Sequence, residues 1–338
     1  MASLLRRKGG CGVVEAAAEA VSQTGLPFQE SPRPRDDGDL ILWETRDPLD
    51  LPSGDPSTLR VAASEHGVRI DVMKRRQAPA DRLQPLYAFC VGANRDNPTA
   101  GLFVSQQVEN PILSSTSFPT FNTSKLESII VLDLLAEARA NMRYFDQSLT
   151  EVFSGADPHA TLAALPGKPV PRSRPEDVAF LDRAIRAVKE AGHPRAKKLS
   201  LTSAEFAFAS RDGVSGGTFL DIVGGQAWVS SYVFNDASAV APARRPMVAE
   251  LLNRIAGEGV PFALALDLDT GLVRTRMYLP LAGSTLDPGP LLLDLLLQTH
   301  FGMVLYKPPI VAIARGDQSD PAATLALYEQ HAALTVNA

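Results

Sequence analysis

Apolar positions between residues 13 and 24 recur at helical spacing, and Gly25 with Pro27 just beyond closes the run, which predicts a first helix. Residues 39–45, around Trp43, read as a strand. Residues 58–63 and 68–74 make a hairpin about Glu65-His66-Gly67. Residues 81–91 return to helical spacing with Leu83, Leu86, Tyr87 and Cys90 on one face. Strands follow over 101–108 and 112–118, then a strong helix over 124–153.

The second half repeats that order. Val178, Leu181, Ile185 and Val188 mark a helix over 177–191, stopped by Gly192 and Pro194. Residues 204–210 alternate around Phe206 and Phe208, and two β-rich runs, 218–223 and 227–234, flank Gly224-Gly225. Met247, Leu251, Leu252 and Ile255 define a helix over 244–256. Strands over 260–267 and 272–279 are joined by Leu268-Asp269-Thr270-Gly271, and Asp287-Pro288-Gly289-Pro290 opens a helix over 291–300. Both halves read α-β-β-β-α-β-β-α, at a spacing of about 160 residues, far beyond solenoid periods.

The pattern therefore predicts an α+β protein of two tandem copies, each with an antiparallel sheet of about five strands. The first domain is expected over 11–154, a Pro-rich link over 155–175, the second domain over 176–302 and an extension over 303–338. That extension holds a helix over 321–334 and a strand over 303–313, broken at Lys307-Pro308-Pro309. Residues 31–38 and 47–56 read as loops inside the first copy.

The run Pro261-Phe262-Ala263-Leu264-Ala265-Leu266-Asp267, then Gly271-Leu272-Val273-Arg274-Thr275-Arg276-Met277-Tyr278-Leu279-Pro280 and a Leu-rich helix, resembles the C-terminal half of the YbjN family of bacterial proteins. The element order resembles the type III secretion chaperone-like fold to which that family is similar. The resemblance covers the second copy by residue pattern and the first by element order alone. It implies a non-catalytic protein that binds segments of other proteins, with the fused copies packed as an internal pseudo-dimer. The insert over 48–56 and the extra C-terminal helix depart from that family pattern.

Candidate chemistry adds little to this. Asp267-Leu268-Asp269 at a strand end resembles the first motif of haloacid dehalogenase-type phosphatases, in which one Asp attacks and the other moves a proton. Here Thr270-Gly271 reverses that motif's Gly-Thr, too little chain follows for a Rossmann-like core, and a hairpin turn accounts for the same letters. The same stretch lacks the bidentate acid of a calcium loop, with Tyr278 in its place. Gly213-Val214-Ser215-Gly216-Gly217, with Asp287 and His300 downstream, follows the nucleophile-elbow order of hydrolases. A strand rather than a helix is expected after that Ser. His66, His159, His193, His300 and His331 show no ligand spacing and no phosphate-loop motif is present, so neither metal nor cofactor is expected.

Composition narrows the function classes. The 338 residues carry 33 basic and 38 acidic side chains for a net charge of −5, which predicts no nucleic-acid partner. No apolar run reaches the ~18–20 residues of a membrane span, and the basic start lacks the apolar core of a signal peptide. Cys11 and Cys90 alone suit a reducing, cytoplasmic setting. The clusters Arg6-Arg7-Lys8, Lys74-Arg75-Arg76 and Arg195 with Lys197-Lys198 read as solvated element ends. The leading expectation is a secretion or assembly chaperone-like protein or an adaptor subunit; the alternatives are a phosphatase using Asp267 and Asp269, and a structural scaffold subunit. The partner is expected to be another protein, and Trp43, Trp228, Tyr232 and Phe234 are the candidate anchors, with core filling competing at each.

Overall fold

The structure, a computed structural model, describes residues 12–33, 40–45, 51–96, 100–105, 111–119, 125–167, 171–192, 195–208, 217–233, 239–258 and 260–336. It is a mixed α+β architecture with two six-stranded antiparallel sheets. The first half runs α1 (Val13–Gln23), β1 (Gln29–Arg33), β2 (Leu40–Thr45), β3 (Ser57–Ser64), β4 (Gly67–Lys74), α2 (Leu83–Asp96), β5 (Gly101–Val104), β6 (Ile112–Pro119) and α3 (Ser128–Phe153). A short α4 (Pro158–Ala163) follows. The second half runs α5 (Pro175–Glu190), β7 (Arg195–Lys198), β8 (Ser203–Ala207), β9 (Gly217–Val223), β10 (Gln226–Tyr232), α6 (Arg245–Gly257), β11 (Ala263–Leu266), β12 (Val273–Pro280) and α7 (Pro288–Arg315), before α8 (Pro321–Val336). The sheets are ordered β1-β2-β3-β4-β6-β5 and β7-β8-β9-β10-β12-β11, the same arrangement strand for strand.

Each sheet thus has six strands where the pattern predicts about five. The extra strands are the outermost ones, β1 and β7. Gln29-Glu30-Ser31-Pro32-Arg33 and Arg195-Ala196-Lys197-Lys198 are polar because one strand edge and much of both faces meet water, so they carry no apolar alternation to read. β1 takes in part of the expected loop over 31–38, and β7 forms in the expected basic cluster. The strand expected over 303–313 is replaced by continuous helix: α7 runs through Pro308 and Pro309, although each proline removes a backbone donor there. A helical turn, α4, also lies inside the Pro-rich link, opened by Asp157, whose Oδ1 accepts the Ala160 N–H at 2.8 Å.

Strand alternation sets the layers. Trp43, Leu59, Val61, Ile70 and Val72 point inward under α1 and α3, while Phe206, Leu220, Ile222, Ala227 and Val229 do the same under α5 and α7. The start of α5 is fixed to its sheet by one buried carboxylate. Asp177 accepts the Arg174 N–H at 2.7 Å and the Gly224 and Gly225 N–H groups at 2.8 Å each. Both glycines sit at positive φ, 65° and 77°, which aims successive amides at one acceptor.

The two halves share one core. The inner edge strands β5 and β11 lie side by side against α2 and α6, which also pack on each other. Two buried asparagines satisfy the strand backbones at this seam. Asn94 on α2 accepts the Leu102 N–H at 2.7 Å and donates to the carbonyls of Leu102 (3.0 Å) and Leu264 (2.9 Å). Asn253 on α6 both accepts from and donates to Val104, at 2.8 Å each way. An added Cβ on Gly101 would stand 3.1 Å from the Ala263 Cβ, a measure of how closely the strands approach. Glu127, at the start of α3, closes the far side by accepting from the Ser284 hydroxyl at 2.6 Å and the Thr285 N–H at 2.9 Å. Among the described residues no helix is long and apolar enough to cross a membrane.

Candidate functional site

The four candidate anchors separate. Trp43 is in the core of the first half, 4% exposed, its indole N–H donating to Glu30 at 3.0 Å. Trp228 and Tyr232 are half-buried on the outer face of the second sheet, the face turned away from α5 and α7. Phe234 lies outside the described residues.

That outer face is built by register. Trp228 stands between Asp221 on β9 and Tyr278 on β12, and Tyr232 opposite Arg274. The Phe219 ring meets Tyr232 edge-on at 5.7 Å, and the Arg274 guanidinium lies 5.9 Å from the same ring. At the β12 end the face is closed by α3: burial, reinforced by Glu137 and Asp133 of that helix, pushes the Tyr278 hydroxyl pKa up. Toward β8 and β9 it opens, with strict alternation of buried and half-buried positions along β8 and β10. Burial also holds the Asp221 carboxyl above its ordinary value, against a Ser203 hydrogen bond and the Arg276 charge. The sheet then ends at β7, whose outer edge has no neighbouring strand among the described residues. Leu199 and Leu201, in the turn after β7, are 49% and 71% exposed. The corresponding face of the first sheet carries ion pairs instead, Glu44–Arg60 and Arg69–Asp71 at 2.9 Å each.

The two aspartates of the phosphatase-like motif sit on the β11–β12 turn. Asp267 Oδ1 accepts the N–H groups of Asp269 (2.9 Å) and Thr270 (3.0 Å). Burial raises the Asp267 pKa, but these amides and the Arg95 charge outweigh it and hold the carboxyl below its ordinary value. This carboxylate is engaged in shaping a turn. Asp269 points elsewhere, 2.6 Å from His159 Nε2 and 3.5 Å from Arg95 Nη1.

The nucleophile-elbow letters do not converge either. Ser215 lies outside the described residues, and Gly217 opens strand β9. Asp287 caps α7, accepting the Gly289 N–H at 3.1 Å. His300 is buried thirteen residues further along the same helix, about 20 Å away at 1.5 Å per residue. Its Nδ1 stands 3.4 Å from the Thr218 hydroxyl, which is itself 2.7 Å from Ser231. Among the described residues no three His, Cys, Asp or Glu side chains gather as a metal site.

Sequence reasoning passed over Leu199 and Leu201. Their signal is two leucines bracketing Ser200 directly after Lys197-Lys198, in a place where no helix or strand face could bury them. Neither a protein-family model nor a curated protein matches this chain in sequence.

Proposed function

We propose that this protein is a non-catalytic, chaperone-like or adaptor protein whose two halves are tandem copies packed as a pseudo-dimer. It captures an extended segment of another protein on the outer face and open edge of the second sheet. The observation that carries the reading is the occurrence of Phe219, Trp228 and Tyr232 on a half-exposed face together with Leu199 and Leu201 beside the β7 edge, which has no strand partner among the described residues. An extended segment added at such an edge gains backbone hydrogen bonds, while its alternate side chains settle on the neighbouring face. Lys197 gives the rim a positive group suited to an acidic, apolar-spaced segment, while the neighbouring Lys198 is paired with Asp182 at 2.8 Å. Lysines and shortness also protect edges from indiscriminate pairing, so the leucines distinguish capture from protection.

The same sequence order that gave each half its sheet supports the pseudo-dimer, with β5 and β11 as adjacent inner edges, Asn94 reaching from the first half to Leu264 and Asn253 from the second half to Val104. The test is a binding measurement between the purified chain and its co-purifying protein. Leu199→Ser combined with Leu201→Ser lowers affinity about tenfold or more, while Ala62→Ser on the first sheet's outer face leaves it unchanged. Equal affinity of all three proteins would refute capture at this edge.

A further inference from the structure

A cavity of about 220 Å³ lies between α2, α3, α4 and the β11–β12 turn, so both halves contribute to it. Its walls are apolar: Phe145, Leu162, Leu165 and Leu268, with Gly92 at the closest point. A Cβ on Gly92 would stand 2.6 Å from Leu162 and 3.1 Å from Leu268, so the absence of a side chain there lets α4 and the turn close over the helix. The space exceeds the roughly 150 Å³ of an apolar cavity that accepts benzene. Its mouth is polar. Asp269 bridges His159 and Arg95, and the Tyr144 hydroxyl donates to the Pro166 carbonyl. Asp267, behind the mouth and engaged by the amides of the turn, lies 3.6 Å from the same Arg95. Arg95 is thus shared by two carboxylates, of which Asp269 lines the mouth between it and the titratable His159, and the Pro166 carbonyl keeps a second lone pair beside the bond from Tyr144.

We propose that this cavity binds a compact primary amine with an aromatic-sized apolar body: the body fills the space between Phe145, Leu162 and Leu268, and the ammonium group meets Asp269 and the Pro166 carbonyl at the mouth. This site is separate from the outer face of the second sheet and does not depend on partner capture. An apolar body within such walls supplies the affinity, and the charge at the rim supplies the choice of head group.

The experiment titrates the full chain with 2-phenylethylamine, 2-phenylethanol and 3-phenylpropionate, followed by heteronuclear NMR shifts. The amine saturates one site at about millimolar concentration or below, binds about fivefold tighter than the alcohol, the scale of an exposed ion pair, and tighter still than the acid. Ala163→Trp, on the exposed side of α4 where it lines the mouth, abolishes saturation by the amine and the alcohol. Asp269→Asn brings the amine down to the alcohol while leaving the alcohol unchanged, and keeps the test decisive if the bulky variant folds poorly. Absence of saturation by the amine and the alcohol, tightest binding by the acid, or an amine preference that survives Asp269→Asn would each overturn the proposal.

Discussion

Lys74 is fully buried at the end of β4, against an equally buried Asp146 on α3, with Asp55 at 2.9 Å and the Thr150 hydroxyl at 3.0 Å. Asp146 also accepts the Ser53 N–H, so one ion pair ties the 51–56 loop, the sheet and the long helix together. Removing one member strands the other charge in the interior. Lys74→Met is therefore expected to cost about 3–5 kcal/mol, read as the shift in urea unfolding midpoint, whereas a shift near zero would show the charge to be solvated. In the sequence this lysine is one of three in a basic cluster that reads as a solvated end. Its true partner lies 72 positions away, and no local pattern announces so distant a pairing. Glu127 shows the same remoteness with a pH signature. Burial alone would raise its pKa, but hydrogen bonds from Ser284, Thr285 and Leu286 hold the carboxyl below its ordinary 4.5. A depressed carboxyl contributes stability above its ordinary value and loses that contribution as pH falls through the folded one. Wild type should accordingly melt higher than Glu127→Gln at pH of about 6, with the gap closing toward pH of about 3. A gap constant across that range contradicts the linkage.

At the scale of elements, apolar periodicity located α1, α2, α3, α5, α6, the start of α7 and the inner strands, because those segments have one buried face whose spacing records their geometry, whereas the six-residue α4 inside the Pro-rich link went unread. It missed β1 and β7, which are defined by hydrogen bonds to one neighbour rather than by a buried face. It ended α7 at His300 and read a strand beyond, broken at Pro308-Pro309; the helix instead continues through both prolines, with Met303, Pro309, Ile310 and Ile313 buried along it. The seam between β5 and β11 was equally silent, since two asparagines in helices read as ordinary polar positions. Their positions inside the protein give them weight. Asn253→Ala leaves the Val104 N–H and C=O without their side-chain partner in a buried place and is expected to cost about 1–3 kcal/mol per group. A change below about 0.5 kcal/mol in equilibrium unfolding would mean that the strand finds other partners. Cys90, fully buried on α2, has its thiol pKa raised by burial, which leaves it a packing residue.

Over the whole molecule, the order of elements was readable and the asymmetry between the halves was not. Two sheets of equal topology meet at their inner edges, yet one outer face is laced with ion pairs and the other bears Phe219, Trp228 and Tyr232 beside exposed leucines. Sequence alternation gives which positions share a face but not which face is covered; α3 reaching across to Tyr278, and nothing comparable toward β8 among the described residues, decides that. Sheets of like topology with unlike outer faces put the proposed capture surface on the second half. Site-specific photocrosslinking tests this most directly. With a benzophenone side chain placed at Tyr232 in one protein and at Ala62 in another, each expressed in its native host, the account predicts a discrete crosslinked protein partner from position 232 that is absent from position 62. Crosslinking of equal yield from both positions, or none from position 232, would contradict it.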